Sequence, residues 1–253
     1  MFRDELDLLA CRLDQLDGKV AGHILVESTL THTGLPKPLH YAASGLAYPQ
    51  VTHVVVEDMP DHPDPWAREH HQRAATWRGL DAAGASREDV ILLCDLDEIP
   101  SDAALEAAAG LNMDRPAVAF AQRPFAFAVD YEFATYQQLT SVAVLAGHAR
   151  DFGLELYQIR DARDYYPAVQ DGGWHFSWLG GPEAITRKTA ASCHPDQVPS
   201  ILECNARGML YEKGFGCWGE TLYPVEVDDS WPRYVSERRC PPGWFRPRPV
   251  PDS

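Results

Sequence analysis

The chain has 253 residues, of which 45% are hydrophobic and 23% are charged, a balance typical of a soluble globular protein of one large domain or two small ones. Its formal net charge of −15 argues against nucleic acid as a partner, because phosphate backbones require clustered lysines and arginines. No apolar run approaches the roughly 18–20 residues that span a bilayer, and the acidic N-terminus lacks the features of a secretory signal. We therefore expect no transmembrane segment and a cytoplasmic location.

Helices and strands are predicted to alternate at the start of the chain. Leucines spaced by three and four predict the first helix, and apolar runs bounded by glycine or proline predict the strands. The predicted helices cover 4–17, 65–84 and 101–110, and the predicted strands cover 22–28, 51–58 and 89–95. The strands are nearly continuous in valine, isoleucine and leucine, which is typical of a parallel sheet covered on both faces. The predicted fold class is therefore α/β, with a Rossmann-like, mixed but mainly parallel sheet and helices on both faces.

The pattern is weaker in the rest of the chain. Residues 117–131 predict one or two further strands, and residues 172–192 combine a glycine-rich turn, an aromatic strand and a helix. Five of the last thirteen residues are prolines, which argues against regular structure there. We predict a single domain over 1–220, followed over 221–253 by a proline-rich arm whose end is extended or disordered.

Three carboxylates follow the third predicted strand, in the stretch ILLCDLDEIPS at 91–101. Ligands of open α/β sheets bind at the carboxyl ends of the strands. Asp95 and Asp97 lie on one face of an extended chain, where they repel each other unless a cation lies between them. Oxygen ligands suit Mg²⁺ or Mn²⁺, so these residues, with Glu98 beside them, predict a metal site that holds a nucleotide diphosphate. The competing interpretation is that the acids cap the next helix, although Ser101 can already do so.

A second motif, GGWHFSW at 172–178, places His175 between two tryptophans. A neutral imidazole is a common metal ligand, and tryptophans in an open site stack on sugar rings or bases. The two glycines that open the motif let the backbone approach a ligand closely. The alternative is a packed strand in which Trp174 and Trp178 fill the core and the histidine is hydrogen-bonded.

Basic side chains on the second predicted helix are candidates for contact with a diphosphate. Arginine suits phosphate, and both Arg68 and Arg73 lie in the first half of this helix. The alternative is a solvated helix face with a Glu69–Arg73 pair. Lys37 lies between two prolines. The simplest interpretation is a surface lysine, and a role in substrate binding would require other site residues near it.

Four segments together resemble glycosyltransferase family 17, the β-1,4-mannosyl-glycoprotein β-1,4-N-acetylglucosaminyltransferase, or N-acetylglucosaminyltransferase III, family. They are residues 4–41, 66–80, 89–101 and 172–188, which occur in the order and spacing of that family. The Asp-x-Asp-Glu-Ile-Pro and Gly-Trp-His-x-Ser-Trp segments are the most specific parts. The resemblance implies a GT-A type fold, a nucleotide-sugar donor, UDP-N-acetylglucosamine, and inversion at the anomeric carbon.

The resemblance also implies roles for single residues. Asp95 and Asp97 match the family's Asp-x-Asp, which holds Mn²⁺, or Mg²⁺, against the donor diphosphate. His175 is the candidate for a later ligand of the same ion. Glu27 ends the strand that matches the family's Val-Glu-Ser, on the nucleotide side of the sheet, and Lys37 matches the family's lysine or arginine between two prolines, so both are candidate donor-binding residues.

The implied reaction is one displacement, in which a general base takes the proton of the acceptor hydroxyl. Glu98 and Asp171 are the candidate bases, with Glu183 as a third, and Trp174 or Trp178 would support the acceptor sugar. The expected acceptor is a glycan or glycoconjugate of a bacterial or phage-like kind.

Two departures from the family pattern bear on these expectations. Family members usually carry a short strand just before the first helix, and here that helix begins almost at Met1. We therefore expect either that this strand is absent or that the start is misassigned. Phe176 stands where animal members carry cysteine, and residues 179–181 replace a more aromatic stretch, so the acceptor side is expected to differ.

Three rival functions stay open from the sequence. The transferred sugar would be galactose or glucose in the first. The second is a non-catalytic binding protein for a carbohydrate or nucleotide sugar, which predicts binding without turnover. The third is a metal-dependent phosphohydrolase, which predicts phosphate release without an acceptor.

Overall fold

The computed structural model describes residues 2, 4–133, 137–190, 197–217 and 220–247. The helices are α1 Leu6–Leu16, α2 His40–Ala43, α3 Pro65–Ala74, α4 Thr76–Ala82, α5 Asp102–Ala109, α6 Ala146–Asp151, α7 Leu156–Asp161, α8 Gly181–Ala190, α9 Val198–Ala206 and α10 Arg233–Ser236, with 3₁₀ turns at Arg163–Tyr165 and Pro242–Trp244. The strands are β1 His23–Ser28, β2 Val51–Val56, β3 Val90–Leu93, β4 Glu98–Pro100, β5 Ala117–Ala126, β6 Tyr131–Glu132, β7 Gln138–Leu145, β8 Ala168–Val169, β9 Gly173–Ser177 and β10 Tyr223–Pro224. The predicted elements up to residue 131 are all present, with the helix over 65–84 divided into α3 and α4. None of the helices described is long and apolar enough to cross a membrane.

The prediction of a mainly parallel sheet is wrong, because the large sheet is mixed. Its strands follow the order β10-β6-β5-β7-β3, with β8 and β9 also paired to β5, and β4 paired to β9. β3 is antiparallel to β7 and β7 to β5, whereas β8 and β9 are parallel to β5. β1 and β2 are parallel, as predicted, but they form a separate two-stranded sheet. The continuous apolar run of β3 reflects burial of both its faces, and burial does not determine strand direction.

Helices lie on both faces of the large sheet, as predicted. On one face, Leu156 and Ile159 of α7 pack in a cluster with Ile91 of β3. On the other face, Ala104 of α5 packs in a cluster with Phe120 of β5. Successive side chains of β3 alternate between these two clusters, as the pleat of a strand requires.

A strand was expected to be missing before α1, but Phe2, which precedes this helix, pairs with β1. Its backbone N–H donates to the carbonyl oxygen of Val26 at 3.0 Å, and it forms a parallel bridge with Glu27 of β1. The Phe2 side chain is 2% exposed and belongs to the main hydrophobic cluster. The chain before α1 therefore pairs with β1 and contributes to the core.

The proline-rich arm is packed against the rest of the molecule over its described part, and residues 248–253 lie outside that part. Trp231, Val235 and Trp244 are buried in the main hydrophobic cluster, and the carbonyl oxygen of Trp244 accepts from the N–H of Val129 at 2.7 Å. The tail differs here from the predicted extended or disordered segment. Large apolar side chains anchor it, and its prolines begin short helical turns, where no backbone donor is needed.

Candidate active site

The two sequence motifs lie side by side in the structure. Asp95 and Asp97 lie in the loop between β3 and β4, and His175 lies in β9. β4 and β9 are antiparallel partners, with Glu98 directly opposite His175. The N–H of Phe176 donates to the carbonyl oxygen of Asp97 at 2.8 Å. The acids do not cap α5, because the Ser101 hydroxyl oxygen accepts from the helix backbone instead.

The buried side chain of Glu98 stabilises this loop through hydrogen bonds. Its side chain is 2% exposed. One carboxylate oxygen accepts from the Asp95 N–H and from the Ser141 hydroxyl, both at 2.8 Å, and the other is bound by Arg160. Glu98 was predicted as a general base, and in this structure its carboxylate is enclosed and fully engaged.

The carboxylate of Asp95 forms ion pairs with two arginines. Its Oδ1 lies 3.0 Å from Arg73 Nη1, and its Oδ2 lies 2.8 Å from Arg160 Nη2. Burial alone would raise the pKa of Asp95, but the two guanidinium groups lower that pKa well below its ordinary value. Arg73 also pairs with Glu69 as anticipated, yet both side chains are buried rather than on a solvated face.

Asp97 has a different set of neighbours. Its Oδ2 lies 2.8 Å from Lys188 Nζ on α8, and its Oδ1 faces His175 Nε2 at 4.0 Å, which exceeds hydrogen-bond distance. Lys188 Nζ also lies 3.4 Å from Glu5. Burial would raise the pKa of Asp97, and the lysine and the histidine together lower it below its ordinary value. Asp97 is therefore an ionised carboxylate with one oxygen directed at an imidazole.

His175 keeps partial access to solvent, with its side chain 23% exposed. Its Nε2 lies 2.9 Å from the Ser177 hydroxyl. Gly173, two residues earlier, lets β9 pack closely against β4 and was predicted instead to let a ligand approach the backbone. Its φ is +128°, and a Cβ there would lie 2.9 Å from the backbone nitrogen of Ser101 and closer still to the carbonyl oxygen of Ile99.

Asp97 and His175 are the residues that could hold a divalent cation. Both oxygens of Asp95 are bound by arginines, whereas Asp97 Oδ1 faces His175 Nε2, which contacts the Ser177 hydroxyl. Within the residues described, no group of three or more His, Cys, Asp or Glu side chains is placed to hold a metal. A carboxylate oxygen would suit Mn²⁺ or Mg²⁺, and an imidazole nitrogen is a common ligand of transition-metal ions, so the donor set of this pair would suit such an ion.

Arg68 is a buried cation on the side of β1. It is 8% exposed, and its Nη1 donates to the carbonyl oxygen of His32 at 3.1 Å. It forms no ion pair with any carboxylate in the described part of the chain, and its buried Nε has no hydrogen-bond partner there. Gly34, with φ of +87°, lies so close that a Cβ would be 3.1 Å from the guanidinium carbon. A buried guanidinium without a carboxylate partner suits an anionic ligand.

Glu27 and Lys37 lie together, but they face each other inside the protein. Glu27 is fully buried, and it accepts from the N–H of His40 at 2.6 Å and lies 3.0 Å from His53 Nε2. Lys37 Nζ lies 3.5 Å from the same carboxylate. In this structure Glu27 ties α2 and the preceding loop to β1 and β2, and its predicted contact with the nucleotide stays a prediction.

Asp171 and Trp174 lie on another side of the β4–β9 ladder. Cross-strand partners share a face, so Glu98 and His175 point to one face while Ile99 and Trp174 point to the other. Asp171 and Trp174 help to line a cavity of about 600 Å³. Trp174 is 9% exposed and Asp171 is exposed. The predicted base Asp171 and the predicted acceptor-binding residue Trp174 are therefore separated from Asp97 and His175.

The second tryptophan of the motif, Trp178, lies in a third environment. It packs, partly buried, against the apolar cluster that contains Ile185 of α8 and Ile201 of α9. Glu183 is exposed in the first turn of α8, the helix that also carries Lys188.

Three cationic residues of the site were missed from the sequence. Arg12 of α1 donates to the carbonyl oxygens of Asp95 and Glu98, at 3.2 and 2.8 Å. The other two are Arg160 and Lys188. A signal existed for Arg12, the one basic residue within α1, and for Lys188, which ends the last family-like segment. Nothing in the weakly patterned stretch around Arg160 distinguishes that residue.

Comparison with known proteins supports one assignment. The model of a family described as Glycosyltransferase family 17 matches residues 1–209, which is most of the chain and includes both motifs and Lys188. Neither the curated proteins nor the solved structures include a significant match.

Proposed function

The chain belongs to glycosyltransferase family 17, and from that premise we propose that it moves N-acetylglucosamine from UDP-N-acetylglucosamine to a hydroxyl group of a glycan or glycoconjugate, with inversion. The family makes it a glycosyltransferase, so a nucleotide-sugar donor and a glycan acceptor are its partners. The observation that supports this proposal is the contact between the loop that carries Asp95 and Asp97 and strand β9, which carries His175. We also assign the mixed α/β fold to the GT-A type.

We propose that Asp97 and His175 hold Mn²⁺, or Mg²⁺, beside the donor diphosphate. When bound, the ion supplies positive charge for the leaving diphosphate. Arg73 and Arg160 keep Asp95 ionised and fix the loop, so that Asp97 is presented in one orientation. Lys188 lies close enough to Asp97 to add a further positive charge on the same side.

Arg68 is proposed as a direct ligand of the donor diphosphate. Arg73 and Arg160 are paired with the carboxylates of Asp95, Glu69 and Glu98, although Arg160 Nε is buried without a hydrogen-bond partner among the described residues. Arg68 combines such a donor with the absence of any carboxylate partner in the described chain. An incoming phosphate would satisfy that donor and neutralise the guanidinium.

The acceptor hydroxyl attacks the anomeric carbon as the bond from that carbon to the diphosphate oxygen breaks, and a base takes the hydroxyl proton. The base must reach a solvent-borne acceptor, which favours exposed carboxylates over the enclosed Glu98. Asp171 and Glu183 are both exposed. We assign the role to Glu183, because its helix α8 also brings Lys188 to Asp97, whereas Asp171 lines the cavity with Trp174.

Calorimetric titration with UDP-N-acetylglucosamine tests the proposal first. We expect binding in the presence of Mn²⁺ and loss of that binding in EDTA, because an ion held by Asp97 and His175 would supply positive charge for the diphosphate. Product analysis with a panel of glycan acceptors then separates the functions, since transfer releases UDP only with an acceptor. Phosphate release without an acceptor would contradict transfer. Binding without turnover across the panel would indicate a binding protein.

Arg68→Met is expected to weaken UDP-N-acetylglucosamine binding by about tenfold or more, the value of a charge-assisted hydrogen bond. It is also expected to leave thermal stability unchanged or higher, since it removes a buried charge that lacks a carboxylate partner in the described chain. Calorimetry and thermal unfolding measure the two effects. Arg78→Met is the control, because Arg78 is half exposed and pairs with Asp58 at 2.6 Å. Unchanged donor affinity with lower stability would show that Arg68 is structural.

A further inference from the structure

We infer that Lys188 is an exchangeable counter-ion of Asp97, which a divalent cation displaces and which then serves the donor diphosphate. The inference deepens the proposed function and rests on its metal site at Asp97 and His175. It adds a residue that neither motif contains.

Lys188 neutralises Asp97 at Oδ2, the carboxylate oxygen next to the Oδ1 that faces His175. Its Nζ lies 2.8 Å from Asp97 Oδ2 and 3.4 Å from Glu5 Oε1, so the ammonium bridges two carboxylates. Asp97 is 13% exposed, and no arginine contact to its side chain is found among the described residues. Without a metal ion, Lys188 is the group that neutralises this enclosed carboxylate.

Of the three lysine and arginine side chains that pair with the carboxylates of the two aspartates in the described chain, Lys188 is the most easily displaced. Arg73 and Arg160 each bind two carboxylates, as Lys188 does, but their side chains are only 11% and 14% exposed. The Lys188 side chain is 31% exposed. A lysine ammonium is also strongly hydrated and flexible, whereas arginine forms fixed planar contacts.

A divalent ion at Asp97 and the ammonium of Lys188 repel each other. If the ion takes the carboxylate, the lysine moves away from Asp97, towards Glu5 when no donor is present and towards the diphosphate when the donor is bound. Removal of the lysine charge should therefore have opposite effects on two ligands. Metal binding becomes tighter, because its competitor is gone. Binding of UDP in the presence of the metal becomes weaker, because one cation for the diphosphate is lost.

Mn²⁺ titration followed by electron paramagnetic resonance measures the first effect without any turnover. Lys188→Met should lower the Kd for Mn²⁺ by roughly fivefold or more, and calorimetry with UDP at saturating Mn²⁺ should show weaker binding by a similar factor. Arg187→Met is the matched control. It removes the same charge from the neighbouring position of α8, where the side chain is 58% exposed and lies 3.6 Å from Asp4. It should leave both constants near those of the unmodified protein.

Circular dichroism checks that the variants fold. If Lys188→Met does not fold, Lys188→Gln retains a hydrogen-bond donor for Asp97 without the charge and carries the same expectation. An unchanged or weaker Mn²⁺ affinity in a folded variant overturns the inference, as does an equal change in Arg187→Met. Mn²⁺ and UDP responses of opposite sign support it even if no sugar transfer is found, so its failure and the failure of the proposed transfer reaction are distinguishable.

Discussion

Asp97→Asn is expected to lower kcat/KM for sugar transfer by about 10³-fold or more, the size of effect seen when stabilisation of a developing charge is lost. Asp97 presents one carboxylate oxygen to His175 and the other to Lys188. An amide of nearly the same shape cannot supply the negative charge that holds a divalent cation there. Release of UDP in the presence of an acceptor measures transfer, and Mn²⁺ titration should show a parallel loss of affinity.

Stability needs its own control in this experiment. Asparagine leaves Lys188 with Glu5 at 3.4 Å as its remaining partner in the described chain, so some loss of stability is expected and circular dichroism must show that the fold persists. Asp151→Asn is a suitable comparison, because Asp151 also pairs with a cation, Arg87 at 2.5 Å, but is 43% exposed on α6. Full transfer activity in folded Asp97→Asn would reject the metal assignment.

Local patterns located the helices and strands, but they did not determine how the strands pair. Leucine spacing in α1 and the apolar run of β3 depend on neighbours within a few residues. The direction of β3 depends on β7, and their partnership, such as Val90 with Leu145, joins residues far apart in the sequence. A strand buried on both faces has the same composition in a parallel and a mixed sheet. The residues of β3 themselves therefore could not show that the prediction of a mainly parallel sheet was wrong.

Some residues of the candidate site could be predicted from local motifs, and others are seen only in the structure. Asp95, Asp97 and His175 were identified because their motifs are specific, and the structure brings the two motifs together at β4 and β9. Lys188 was not identified, since a basic residue on a predicted helix is typical of a solvated face. Arg160 was not identified because the sequence around it has no clear pattern.

Burial of a charged pair is a tertiary property. The Glu69–Arg73 pair was anticipated from its spacing of four, yet only the packing of α3 shows that both side chains are enclosed. The two glycines before the Trp-His pair were interpreted as places for a ligand to approach. Gly173 instead lies against β4, and the structure alone distinguishes these two uses of glycine.

Glu183→Gln is expected to lower kcat for transfer by about 10²–10⁴-fold, the usual contribution of a positioned general base. Glu183 is exposed in the first turn of α8, whereas the carboxylate of Glu98 is bound by Ser141, Arg160 and the Asp95 N–H. Because the donor is bound by other residues, the affinity for UDP-N-acetylglucosamine should stay the same. Steady-state kinetics and calorimetry measure the two quantities separately.

Asp171→Asn is the matched variant, since Asp171 is the other exposed candidate, and its carboxylate accepts from Gln137 at 2.6 Å. We expect it to retain kcat within a few-fold, because Asp171 lines the cavity on the Trp174 side of the β4–β9 ladder. The pH profile gives a further readout: loss of the base removes the rise of kcat with pH on the acidic side, which a merely structural defect would leave in place. A large loss of kcat in Asp171→Asn with normal turnover in Glu183→Gln would reverse the assignment and place the acceptor in the cavity beside Trp174.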